Sequence, residues 1–289
     1  MERRVKFDFE VDFSNGGGMQ GRDFRLDIPG ETISDEELAL AIIRDMRLLL
    51  VGDVRIPKKE IVTEPHLRKT PAGCIDLSHT VYDGLVTYKG LPAPVICDYL
   101  SREASRERYA PGTEFQIGKI EMIANTGTYV DCPFHRYADG KDLSEVGLEA
   151  FADLEGVLIR ADYRTDLAVT AQAFKGRDVA NKAVLVHTGW AQHWDTDAYF
   201  ENHPFLTEDA AACLRDHGAK LVGIDALNID DTRGRSRPVH STLLRAEVLI
   251  VEHLCNLESV PEAGFTFSAI PPKFKGVGTF PVRAFARLR

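Results

Sequence analysis

Asn125-Thr126-Gly127-Thr128-Tyr129-Val130-Asp131-Cys132-Pro133-Phe134-His135 is the stretch that departs furthest from ordinary core or loop composition. Asp131 and His135 stand four residues apart around Pro133, a spacing that suits a rigid loop aiming polar groups into one pocket. Carboxylate oxygen and imidazole nitrogen are common ligands of borderline divalent metals, and histidine is the commonest general base near neutral pH. Residue types alone also allow a plainer reading, in which Asp131 caps a turn and His135 is a hydrogen-bonded surface histidine. Cys132 reads as packing behind the loop, since no adjacent base is obvious to activate its thiol.

A second cluster lies downstream. Pro238-Val239-His240 follows a polar loop rich in Arg and Asp, Asn228–Arg237, and Glu252 closes the apolar run Val248–Val251 twelve residues after His240. A glutamate ending a buried strand needs a cation or a proton, because an isolated buried carboxylate is costly. An imidazole, a metal ion or a salt bridge with Arg245 would each serve. Arg233, Arg235 and Arg237 make a basic loop before His240, either solvated or a clamp for a substrate carboxylate.

Taken with Ile75-Asp76-Leu77-Ser78-His79, Gly223-Ile224-Asp225 and Asn256-Leu257-Glu258-Ser259-Val260-Pro261, these clusters resemble the cyclase family. That family includes metal-dependent bacterial kynurenine formamidases and isatin hydrolases. The resemblance covers about Ala72 to Arg289, with matching order and spacings. It implies an α/β chain with mixed strands in the swivelling β/β/α fold, and a homodimer or homotetramer with site residues near subunit contacts. It also implies hydrolysis of a small amide, with Asp131, His240 and Glu252 at the metal and His135 as general base. Where the family's central motif carries two further ligand histidines, this chain has Asn125 and Tyr129. Members with both histidines hold two ions bridged by the aspartate, so one divalent ion (Mn, Zn or Mg) or a weakened site is expected here.

Asn125 can still offer a carbonyl oxygen, a hard ligand. Tyr129 is a poor ligand near neutral pH, its phenol having a pKa of about 10. It suits a catalytic role, donating a hydrogen bond to a developing oxyanion, or fills the vacated volume. Glu252 counts both as ligand and as part of the catalytic group. The same site would equally serve a ring-opening hydrolase of a cyclic amide, imide or lactone. Asn125 and Tyr129 also motivate a third reading, a catalytically silent member that binds a small molecule or assembles with a partner. His79, where the family's opening strand enters the site, is either structural or a substrate contact. Trp190 and Trp194 are either core residues or the walls of a pocket for an aromatic substrate.

Composition sets the outer bounds. The 289 residues carry 35 Lys+Arg against 44 Asp+Glu, a formal charge of −9, and 44% are hydrophobic, too many for a disordered chain. The acidic balance, with no basic stripe, speaks against a nucleic-acid partner. Apolar runs are only a few residues long, against the roughly 20 that span a bilayer, so no membrane partner is expected. Met1–Phe13 has no apolar segment of a secretory leader. The five scattered cysteines form neither a disulfide framework nor a structural zinc motif. A cytoplasmic protein acting on a small molecule is the expectation.

Residues 1–70 read as a small β-β-α-β appendage and 71–289 as the cyclase-like domain. Val5–Phe13 alternates with period two, Gly16–Gly18 interrupts it, and Phe24, Leu26 and Ile28 resume it. Ser34 with Glu37 makes a capping box opening a helix with apolar positions Leu38, Ala41, Ile42, Met46 and Leu49. Val51–Val62 reads as a strand broken by Pro57, and Thr63–Gly73, with Pro65 and Pro71, as the linker. Beyond it, Ala183–Val186, Leu221–Ile224 and Val248–Val251 read as buried strands. Thr207 caps a helix over Glu208–His217 that Gly218 stops.

Overall fold

The computed structural model describes residues 2–28, 32–46, 48–64 and 73–289. The chain divides into two compact units, Met1–Lys69 and Thr70–Arg289. In the first, β1 (Glu2–Phe13) is the middle strand of an antiparallel sheet, between β2 (Gly18–Asp27) and β3 (Val51–Glu64). The alternation along β1 puts Val5, Phe7, Phe9 and Val11 into one cluster with Leu38 and Ile42 of helix α1 (Asp35–Asp45). The capping box forms: the Ser34 amide donates to Glu37 Oε2 at 2.9 Å, and the Glu37 amide to Ser34 Oγ at 3.1 Å.

Two details differ from expectation. The helix stops at Asp45, so Met46 and Leu49 fall outside it, and Leu49 is 81% exposed. Pro57 does not break its strand. It lies where the β1–β3 register shifts between Asp8↔Lys58 and Glu10↔Arg55, on a strand paired only with β1, so its missing N–H interrupts little of the ladder. Pro65 and Pro71 of the expected linker lie outside the described residues.

The second unit is built on a nine-stranded mixed sheet. In chain order its elements are β4 (Cys74–Asp76), the antiparallel ribbon of β5 (Val95–Leu100) and β6 (Ile117–Glu121), and β7 (Tyr129–Asp131). Next come β8 (Leu154–Arg160), β9 (Ala168–Val169), β10 (Ala183–His187) and β11 (Phe205–Leu206). The chain continues through α2 (Glu208–Asp216), β12 (Leu221–Ile224), α3 (Pro238–Arg245) and β13 (Leu249–Glu252). It ends with β14 (Phe265–Ser268), β15 (Thr279–Pro281) and β16 (Phe285–Leu288).

The sheet order is β15-β7-β13-β12-β10-β8-β14-β16-β4, in which β8, β10, β12 and β13 run parallel and the flanking strands antiparallel. The parallel strands are apolar on both faces because both are covered. Val184, Val222 and Ile250 pack with Leu214 of α2 and Leu243 of α3, while Leu185, Leu221 and Val251 pack with Phe265 and Phe267. This is the expected α/β architecture with mixed strands. Thr207 stands at the N-cap of α2, but its hydroxyl donates to the Val169 carbonyl at 3.2 Å instead of capping the helix. At the carboxyl ends of the parallel strands, Arg160, His187, Asp225 and Glu252 come to one edge of the sheet, where open α/β sheets gather their ligands.

Candidate active site

Tyr129 pairs with Glu252, and Ile250 with Asp131, across the antiparallel β7–β13 neighbours. Side chains two apart on a strand share a face, so the pleat sets Tyr129, Asp131 and Glu252 on the same side of the sheet. Cys132-Pro133 then leads into a short 3-10 turn, Pro133–His135, that ends on His135. His240 comes from the first turn of α3. Asp131 and Glu252 are fully buried, His240 nearly so, and His135 is partly exposed.

His240 is the centre of the arrangement. Its Nδ1 lies 2.6 Å from Asp230 Oδ2, while its Nε2 lies 3.6 Å from Asp131 Oδ2 and 3.7 Å from Glu252 Oε1. Asp230 also accepts the backbone amides of Val239 at 2.8 Å and His240 at 3.0 Å, tying down the start of α3. Glu252 accepts the Ile229 amide at 2.6 Å, a hydrogen bond from the Tyr129 hydroxyl, and a longer one from Asn228 Nδ2 at 3.5 Å. Arg245, the alternative partner for Glu252, turns instead to Asp139 at 3.3 Å.

His135 is oriented through a threonine. Thr279 Oγ1 donates to Asp131 Oδ1 and sits 2.7 Å from His135 Nδ1. A hydroxyl has one proton, and with that proton on the Asp131 carboxylate His135 Nδ1 must be the donor. In the neutral ring this tautomer leaves Nε2 of His135 with a free lone pair.

The electrostatics ask for a cation. Burial by itself would lower the His240 pKa, but the surrounding carboxylates of Asp131, Asp230 and Glu252 outweigh it and carry it up to about 10. Burial raises the Glu252 pKa, the charge of Asp131 adds to the rise, and His240 opposes it. The Tyr129 phenol is raised well above its ordinary range, by burial first and then by Glu252 and Asp131, with the Asn125 side chain opposing. Among the described residues Asp131 Oδ2 is buried without a hydrogen-bond partner. Ligands about 2.1 Å from one tetrahedral ion stand about 3.4 Å apart, close to the spacings around His240 Nε2 and too long for hydrogen bonds. Ligand atoms of Asp131, His135 and His240 also lie within 4.8 Å of one another. The residues present therefore fit a divalent ion.

Sequence reasoning passed over Asp230, Thr279, Asn228 and the Ile229 amide. Asp230 and Asn228 stood in the polar loop noticed for its charge, whereas nothing local marks Thr279. Among the other candidates, Cys132 is buried in the core, and burial raises its pKa to about 11. Trp190 is a core residue donating to the Tyr199 carbonyl at 3.0 Å, and Trp194 stacks on His79 at 3.9 Å. Arg233 forks onto Asp231, and Arg237 donates to carbonyls of its own loop, so neither is placed as a clamp.

A mixed α/β sheet with acids and imidazoles converging at its strand ends defines the class of protein. The profile of the family described as "Putative cyclase" matches residues 75–231, more than half of the chain, and the chain belongs to the cyclase family. A kynurenine formamidase of Bacillus cereus is 24% identical over 213 residues, spanning 74% of this chain and 96% of that protein. A solved structure described as a potential metal-dependent hydrolase with cyclase activity superposes with a TM-score of 0.61 at 27% identity, over 75% of this chain and 98% of that one. Isatin hydrolase A from Labrenzia aggregata, bound to benzyl benzoate, shares the fold: TM-score 0.64, 21% identity, 75% of this chain and 93% of that one.

Proposed function

We propose that this chain is a metal-dependent hydrolase of a small amide, arylformamidase-like, with its chemistry in residues 71–289. The observation that carries the reading is the buried, unpartnered Asp131 Oδ2, which lies 3.6 Å from His240 Nε2, with Glu252 Oε1 3.7 Å from the same nitrogen. The names of the similar proteins, a kynurenine formamidase and a potential metal-dependent hydrolase, support it.

One divalent ion, Mn, Zn or Mg, would be held by Asp131, His240 and Glu252, with the Asn125 carbonyl as a further oxygen. When bound, such an ion acidifies water and polarises the scissile carbonyl. His135 takes a proton from the attacking water at its free Nε2 and returns it to the leaving nitrogen. Thr279 holds His135 in the tautomer that makes this possible. Tyr129, kept as a phenol by burial, orients Glu252 and fills the volume beside it. We also propose a cytoplasmic homodimer or homotetramer; the β5–β6 ribbon, exposing Val95, Tyr99 and Ile120, supports self-association.

Metal analysis of the purified protein tests the first step. A stoichiometric ion, lost in Asp131→Ala and His240→Ala, is expected, and a fully folded, metal-free wild type would sink the reading. Turnover of formyl-anilines, isatins, lactones and cyclic imides with Mn²⁺ or Zn²⁺ then fixes the bond cleaved. His135→Ala is expected to slow that turnover about 10²–10⁴-fold, and full activity would refute its role as base.

A further inference from the structure

A cavity of about 760 Å³ opens at the carboxyl ends of β8, β10 and β12, and its lining does not include Asp131, His135 or His240. Its walls include Arg160, His187, Asp225, His79 and Tyr163. That volume is within the range of small-molecule sites.

Arg160 distinguishes this cavity. Its Nη1 lies 3.0 Å from His187 Nδ1, and its Nη2 donates to the Val260 carbonyl at 3.1 Å. A guanidinium can only donate, so both partners accept, and neither is a carboxylate. Among the described residues no carboxylate pairs with Arg160, whereas Arg164, Arg177, Arg233 and Arg283 each have one.

The cavity's own acids do not answer it. Asp162 is forked by Arg164. Asp225 is closed by the Thr188 amide at 2.8 Å, the Thr188 hydroxyl at 2.6 Å and the Gly189 amide at 2.8 Å. Glu258 is exposed to water, where its field is screened. Two of the five guanidinium donors are used and fix its plane, which leaves the rest of the fork free for a planar anion.

Flat walls accompany the fork. His79 stacks on Trp194 with planes 5° apart, and Tyr163 stands edge-on to Trp190 at 5.0 Å. His79 Nε2 is a buried atom without a hydrogen-bond partner among the described residues. We propose that this cavity is a second ligand site, separate from the candidate active site, for a small aryl carboxylate whose carboxylate takes the Arg160 fork and whose ring lies along His79 and Tyr163.

Benzoate titrated into the full chain tests this, read by calorimetry and by the fluorescence of Trp190 and Trp194. Saturable binding below about 10 mM is expected. Benzamide, the same shape without the charge, and Arg160→Gln are each expected to weaken binding at least tenfold, while Asp131→Asn leaves it unchanged. Absence of saturable binding, equal affinity for benzamide, or unchanged affinity in a folded Arg160→Gln would overturn the proposal. Loss of binding in Asp131→Asn would also overturn it, by moving the ligand to the other site. The benzamide comparison needs no variant, so it decides even if Arg160→Gln does not fold.

Discussion

His240 is surrounded by carboxylates, of which Asp230 alone among the described residues is within hydrogen-bond distance of its ring. Asp230 fixes which ring nitrogen is free and also receives two amides at the start of α3. Asp230→Ala is therefore expected to weaken binding of Mn²⁺ or Zn²⁺ about 10–100-fold by calorimetry, and to cost about 1 kcal/mol as a lost helix cap in urea melts. Asp131, His135, His240 and Glu252 stand out as candidates through the resemblance to the cyclase family, since their residue types alone leave plainer readings open. Asp230 does not, because its role exists only once its loop folds over α3. Thr279 reaches Asp131 across two paired strands that are far apart in sequence. His79 adds a titration at the same scale: burial lowers its pKa from the ordinary 6.5 to about 4. Between those values the unfolded chain binds a proton that the folded chain refuses, so stability is lost as pH falls from 6.5 towards 4. His79→Phe keeps a ring on Trp194 and removes the titration. Its urea midpoint should fall less steeply than wild type over that window, with equal slopes above it.

Elements were readable where local chemistry and tertiary demand agree. The β1 alternation and the Ser34–Glu37 box needed only their own residues. Pro57 and Thr207 were misread because neighbouring strands decide them: an edge position with a register shift tolerates the first, and the Val169 carbonyl captures the hydroxyl of the second. The contact between β15 and the His135 turn is of this tertiary kind. The Gly278 carbonyl accepts the Cys132 amide at 2.8 Å, and a Cβ on Gly278 would come within 2.2 Å of the His135 nitrogen and 2.5 Å of its Cα. Those atoms are backbone, so the turn itself must move. Gly278→Ala is expected to destabilise by about 1–3 kcal/mol and to lower kcat through a displaced His135, with calorimetric metal affinity reduced less than turnover.

Across the whole molecule, the distribution of apolar residues is as informative as the site. Val5, Phe7, Phe9, Val11, Leu38 and Ile42 form a core of their own, apart from the two clusters that cover the faces of the large sheet. In the sequence, the proline-bearing stretch Thr63–Gly73 reads as the linker between the two parts. The division has a measurable consequence. Leu38 is fully buried, and truncation of such a leucine to alanine costs about 2–5 kcal/mol because the cavity it leaves collapses only partly. That loss belongs to the core Leu38 occupies. Hydrogen exchange in Leu38→Ala should accelerate at the β1 amides, while the amides of β8, β10, β12 and β13 and the affinity for Mn²⁺ stay as in wild type. Equal acceleration across both sheets would show that the two cores unfold as one cooperative unit.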